Sequence, residues 1–96
     1  MTTRDLLQSK RSEILRIAAE HGARNLRVFG SAARGEDEAS SDIDLLVDFD
    51  PGTSLLTHAR LIVALEDLLG RKVDVAPEKS LKQRLRDRIL SEALPL

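Results

Sequence analysis

The 96-residue sequence has no cysteine, tryptophan or tyrosine, and Phe29 and Phe49 are its only Phe, Tyr or Trp side chains. Without cysteine there is neither a disulfide framework nor a thiolate metal site, which fits a reducing compartment. With so few aromatics there is almost nothing on which bases could stack, as they do on single-strand binders. The formal net charge of −1 argues in the same direction, so no direct nucleic-acid binding is expected. No apolar run approaches the ~18 residues of a membrane span. The opening stretch MTTRDLLQSKRSEIL carries charges at Arg4, Asp5, Lys10 and Arg11, and it lacks the apolar core of a secretory signal. The expected location is the cytoplasm.

What the sequence does contain is ordinary globular material, 42% hydrophobic and 32% charged. Its length suits one domain over residues 1–96 with one core, and leaves no room for a separate acceptor-binding domain. The charges are unevenly spread. Between residues 36 and 50 lie seven acidic residues (Glu36, Asp37, Glu38, Asp42, Asp44, Asp48, Asp50) and no Lys or Arg. From Arg71 onward seven basic residues face four acidic ones. Glu36, Asp37 and Glu38 are expected to be solvated surface.

The segment from Phe29 to Phe49, FGSAARGEDEASSDIDLLVDF, organises the rest. Its second half is the best strand in the chain: Ile43, Leu45, Val47 and Phe49 line one face, and Asp42, Asp44, Leu46 and Asp48 the other. Asp42 and Asp44, at i and i+2, therefore point the same way. Two adjacent carboxylates raise each other's pKa, and folding gains nothing from them; a divalent cation removes the conflict. Asp48 lies roughly 13 Å from Asp44 along the strand, too far to share that cation. Ahead of this strand, Asn25–Phe29 forms a shorter one, and Gly30 ends it. Ser31–Arg34 makes a single helical turn before Gly35, turning backbone N–H groups and the Ser31 hydroxyl toward one point where phosphate can bind.

The remaining chain alternates helices and strands. A helix is expected from about Thr3 to His21, opened by a Thr2–Asp5 capping box and stopped at Gly22, with His21 as a partner for the helix C-terminus. After a Pro51-Gly52 turn, a second helix runs from about Ser54 to Leu69 with Leu61, Ile62, Leu65, Leu68 and Leu69 on its apolar stripe and Gly70 as its stop. His58, on the edge of that stripe, is expected to be a structural side chain. Arg71–Val75 forms a third strand with Asp74 on its polar side. If this strand lies beside the Asp42–Asp44 strand, three acids meet. Ser80 and Gln83 suggest a capping box for a last helix with Leu81, Leu85, Ile89 and Ala93 on one side and Lys82, Arg86 and Arg88 on the other.

Gly30-Ser31, ten intervening residues, Asp42-x-Asp44 and then Asp74 thirty residues on together resemble the minimal nucleotidyltransferases of the DNA polymerase β superfamily. Such MNT-domain proteins are commonly encoded beside a HEPN-domain ribonuclease toxin. The resemblance implies an α/β fold, a small mixed β-sheet backed by helices on one face with the site on the other. It implies that Gly30 and Ser31, with Arg34, contact the phosphates of ATP. It also implies that Asp42, Asp44 and Asp74 hold Mg2+, Asp74 helping to activate an acceptor hydroxyl.

The activity so implied is transfer of AMP from ATP to a hydroxyl, a tyrosine's in particular, of the HEPN toxin, which makes the chain an antitoxin. Two other readings stand beside it. One is a non-catalytic antitoxin that neutralises its toxin by complex formation, for which the C-terminal ALPL, with Leu94 and Leu96, offers an apolar hook. The other is nucleotidylation of a small molecule such as an aminoglycoside, which needs an acceptor domain the chain lacks. Base preference, the acceptor residue, and homo- or hetero-oligomer formation stay open at this level.

Overall fold

The computed structural model of the chain describes residues 2–38 and 40–96. Two helices, α1 (Thr3–Ser9) and α2 (Arg11–Glu20), precede strand β1 (Ala23–Phe29). A one-turn helix α3 (Gly30–Arg34) and a loop lead to β2 (Ile43–Phe49), followed by α4 (Leu55–Leu69) and β3 (Val73–Pro77). A 3-10 turn (Glu78–Ser80), α5 (Gln83–Glu92) and a two-residue strand β4 (Leu94–Pro95) complete the chain. The sheet order is β3-β2-β1-β4. β1 pairs antiparallel with both β2 and β4, whereas β2 and β3 run parallel, so the sheet is mixed. The parallel pair requires a crossover, and α4 supplies it.

The core lies on one face of the sheet. Leu7, Ile14 and Ala18 from α1 and α2, with Leu61, Leu65 and Leu69 from α4, pack on Leu26, Val28, Ile43, Leu45, Val47, Val73 and Val75. Period two on the strands and steps of three or four on the helices place these side chains, which is why the pattern is legible in advance. On the opposite face Leu46 is fully buried, and Arg27 bridges Asp48 and Glu78 while Glu78 also holds Arg86 of α5. No residue of α5 is fully buried; Arg86, Ile89, Leu90 and Glu92 are half-buried.

Several local expectations change. The first helix is two, because Lys10 leaves helical geometry (φ −108°, ψ 10°). Leu7 and Ile14 keep helical spacing across that break, which hides it from periodicity. The bend brings α1 over α3, where Thr3 is buried and its hydroxyl donates to Asp37. The Thr2–Asp5 capping box forms, with both hydrogen bonds present. The one expected at Ser80 and Gln83 does not: Ser80 sits in the 3-10 turn, and Lys82 precedes α5 with no side-chain cap. The ALPL tail is no free hook. Leu94 and Pro95 pair with Val28 and Arg27, the Leu96 N–H donates to the Leu26 carbonyl, and Leu94 and Leu96 pack against the core. Proline on an edge strand leaves no sheet donor exposed there.

Candidate active site

Topology brings the site together. β1 ends where β2 begins, because the two are antiparallel with Phe29 opposite Asp44. Gly30, the next residue, therefore lies against Asp44. β3 starts at the same end because it runs parallel to β2, and its register puts Asp74 opposite Asp44. Neighbouring strands are about 4.8 Å apart, so these carboxylates stand side by side on one face. Asp42 immediately precedes β2, exposed, at the position that alternation assigns to the same face.

Gly30 is held to glycine for two reasons. Its φ is +71°, and a β-carbon there would overlap the Asp44 Oδ2 atom. The backbone thus approaches the Asp44 carboxylate more closely than any side-chain-bearing residue permits. α3 runs on through Ser31 to Arg34 and is closed by Gly35 in the left-handed region. The Arg34 Nε donates to both Glu36 oxygens at 3.2 Å, and its Nη1 to the two Glu92 oxygens at 3.1 and 3.2 Å. Glu92 also accepts from the Gly30 N–H at 3.2 Å.

Charge crowding is concentrated on Asp44. Burial pushes its pKa up first, the charges of Asp74 and Asp42 add to the effect, Arg34 opposes it, and Glu92 adds a little more. This is the combination of desolvation and like charge that marks functional carboxylates. Among the described residues no three His, Cys, Asp or Glu side chains already surround one point at ligating distance. Asp42, Asp44 and Asp74 share an edge of the sheet and not yet a coordination sphere. Their chemistry nonetheless suits a hard divalent cation: three carboxylates supply oxygen donors alone, and a cation relieves the charge that crowds Asp44.

The loop that delivers Asp42 has a clamp the sequence did not announce. Arg71, just before β3, donates from Nη2 to the carbonyls of Ser41 (2.7 Å) and Glu38 (3.2 Å) and from Nη1 to the Thr3 hydroxyl (2.9 Å). Its guanidinium also pairs with Asp37 at 3.6 Å. The Asp37 side chain is only 11% exposed, so the expectation that it is solvated surface fails there, while Glu36 and Glu38 are exposed as expected. Glu66 of α4 plays a smaller part, accepting from the Val73 N–H at the start of β3 (3.1 Å). Arg71→Ala is expected to cost about 2–3 kcal/mol, the worth of two or three hydrogen bonds to a charged group partly offset by relaxation, and to lower activity by freeing Asp42. Thermal unfolding and steady-state rates measured on the same preparation check both effects.

Both histidines are structural. His21 Nδ1 lies 2.8 Å from the Ile17 carbonyl at the end of α2. His58 Nε2 is 2.8 Å from the Val75 carbonyl, and its ring packs on Phe49 at 5.0 Å. A cavity of about 380 Å3 lies between α1, α3 and the 35–38 loop, lined by Thr3, Arg4, Ala32 and Arg71 among others, and none of the three aspartates lines it. The acidic edge is instead open, with Asp42 and Asp74 exposed.

A glycine pressed on an acid pair at the joined ends of three strands is an arrangement suited to phosphate transfer. Residues 11–96 match the nucleotidyltransferase domain, and the chain belongs to that family and is a nucleotidyltransferase. The protein adenylyltransferase MntA of Thermococcus cleftensis is 44% identical over 73 residues, 76% of this chain and 74% of that protein. MJ0435 of Methanocaldococcus jannaschii, provisionally named a protein adenylyltransferase, is 46% identical over 82 residues, 85% of this chain and 88% of that one. A solved structure provisionally described as a minimal nucleotidyltransferase superposes with a TM-score of 0.87 at 51% identity, covering 100% of this chain and 97% of the other. A toxin–antitoxin structure with AMP-PNP shares the fold, with a TM-score of 0.75 at 20% identity over 88% of this chain and 69% of the other.

Proposed function

We propose that the chain moves AMP from ATP to a hydroxyl of a partner protein, a tyrosine of a HEPN-domain toxin, and so acts as its antitoxin in the cytoplasm. The observation that carries this reading is the register match of Asp44 with Asp74, with Gly30 pressed against Asp44. The names of the two relatives support protein as the acceptor. Among the described residues, no helix is long and apolar enough to cross a membrane.

In this reading the Gly30 N–H and the Ser31 hydroxyl orient the phosphates, and the missing β-carbon lets them approach. Arg34 contacts the triphosphate. Asp42 and Asp44 hold Mg2+, and Asp74 helps hold a second ion. Divalent ions held there would supply neutralisation of the charge that develops during transfer. The acceptor oxygen bonds to the α-phosphorus as the bond to the bridging oxygen breaks, pyrophosphate departs, and the hydroxyl proton passes to Asp74. Positioning and electrostatics supply most of the rate. The apolar hook offered for neutralisation by binding alone is not free, since Leu94 and Leu96 are engaged at the sheet edge.

The test is to incubate the chain with ATP, Mg2+ and the product of the neighbouring gene, then map that protein by mass spectrometry. An AMP adduct on a tyrosine, absent with Asp42→Asn, is the expected result. A stable complex that forms without any adduct contradicts the proposal.

A further inference from the structure

Glu92, the last residue of α5, is sixty-two positions from Gly30 in sequence, yet its carboxylate accepts from the Gly30 N–H and from Arg34 Nη1. An acidic side chain, 19% exposed, is thus placed at the edge of a site already crowded with three aspartates. It gains stabilisation there from two donors, and these are the donors that the proposed reaction gives to a phosphate. We infer that Glu92 is an internal stand-in for the nucleotide's phosphate, a carboxylate latch that ATP must displace. The inference rests on the nucleotidyltransfer reading of this site.

The attachment of α5 fits a latch. No residue of the helix is fully buried, Ile89 and Leu90 being only half-buried, and its polar anchors besides Glu92 include Arg86 to the Glu78 carboxylate and carbonyl. Immediately after it, Leu94 and Pro95 are pinned to β1. Release of Glu92 therefore loosens α5 while its C-terminal anchor stays in the sheet. A single N–H and one guanidinium cannot serve a carboxylate and a triphosphate equally well in the same place. The apparent dissociation constant for nucleotide is then the intrinsic one divided by the fraction of molecules in which Glu92 is withdrawn. A latch closed nine-tenths of the time weakens binding about tenfold.

The experiment measures the affinity of wild type, Glu92→Gln and Glu92→Ala for a non-hydrolysable ATP analogue with Mg2+ by calorimetry, and amide hydrogen exchange over residues 83–92 with and without the analogue. Circular dichroism establishes that the variants are folded. The latch predicts that both variants bind about tenfold more tightly. It also predicts that exchange in α5 of the wild type rises when nucleotide binds, whereas in the variants it is raised from the start. Inorganic triphosphate, which carries the phosphates without the nucleoside, should show the same gain in the variants. Unchanged or weaker binding in both variants, with the wild type still binding the analogue, overturns the latch and makes Glu92 a bystander or a ligand of the bound state. If neither wild type nor variants bind the analogue, the nucleotide reading of the site falls and takes the latch with it.

Discussion

Asp44→Asn abolishes transfer, by on the order of 10^3-fold or more, and raises the melting temperature of the free protein at neutral pH. The loss of rate follows from removing a charged oxygen where the reaction needs a cation held, a larger deficit than that of a single lost hydrogen-bond donor. The gain in stability follows from the raised Asp44 pKa. A carboxylate whose folded-state pKa lies above its unfolded value contributes stability below the unfolded pKa. That contribution is lost as pH rises through the folded value. At about pH 7, above the unfolded value, the native protein therefore bears a cost at Asp44, and Asn lifts it. Near pH 3, where the wild-type carboxyl is protonated in both states, the difference vanishes. The expected rise is a few degrees for a chain of this length, since Asp44 is only half-buried and solvent screens part of the charge. Mg2+ reverses the order, stabilising wild type and leaving Asp44→Asn unmoved. Asp42→Asn should match it in lost transfer. Melting curves across pH with and without Mg2+, beside transfer rates, measure all of this; full activity in either Asn variant contradicts the metal-site assignment.

Gly30→Val removes nucleotide binding and destabilises the fold together. Valine at φ +71° is a backbone outlier worth about 1–3 kcal/mol. Its β-carbon also overlaps the Asp44 carboxylate, so Asp44 must swing away or the start of α3 must move. Either shift separates the Gly30 N–H, proposed to orient the phosphates, from the acids, and a misplacement of about 1 Å at such a site costs on the order of 10^2-fold in rate. Gly35→Val is the control: it shares the positive φ, but its added β-carbon meets nothing within 4 Å. The Gly35 variant is expected to lose stability and keep a good part of its transfer. Nucleotide titration of the two variants at a temperature where both are folded separates strain from overlap.

The acids were readable before the fold because their signal is local. Asp42 and Asp44 sit at i and i+2 on an unmistakable strand, and Asp74 lies between two valines on another. Two facts of topology, antiparallel β1 with β2 and parallel β2 with β3, then suffice to join them to Gly30. What stayed hidden depends on partners distant in sequence. Arg71 clamps the Asp42 loop across some thirty residues, and Glu92 reaches Gly30 across sixty-two. No spacing rule connects such residues. The uneven charge, an acidic middle and a basic tail, was the one trace of the Arg71 contact. β4 was hidden because a Leu-Pro pair has too little length and the wrong residue for an ordinary strand. The break at Lys10 was hidden because tertiary contact of Thr3 with Asp37, and no helix-breaking residue, accompanies it.

The claim at the centre is that the α-phosphorus of a nucleoside triphosphate is attacked at the Asp42–Asp44–Asp74 edge. Its most direct measurement is parallel incubation of chain and partner with ATP labelled at the α- or at the γ-phosphate. Label on the partner from α-labelled ATP alone, with γ-label released as pyrophosphate and both lost in Asp44→Asn, is what the account predicts. Label retained on the partner from γ-labelled ATP, or equal labelling by Asp44→Asn, would contradict it.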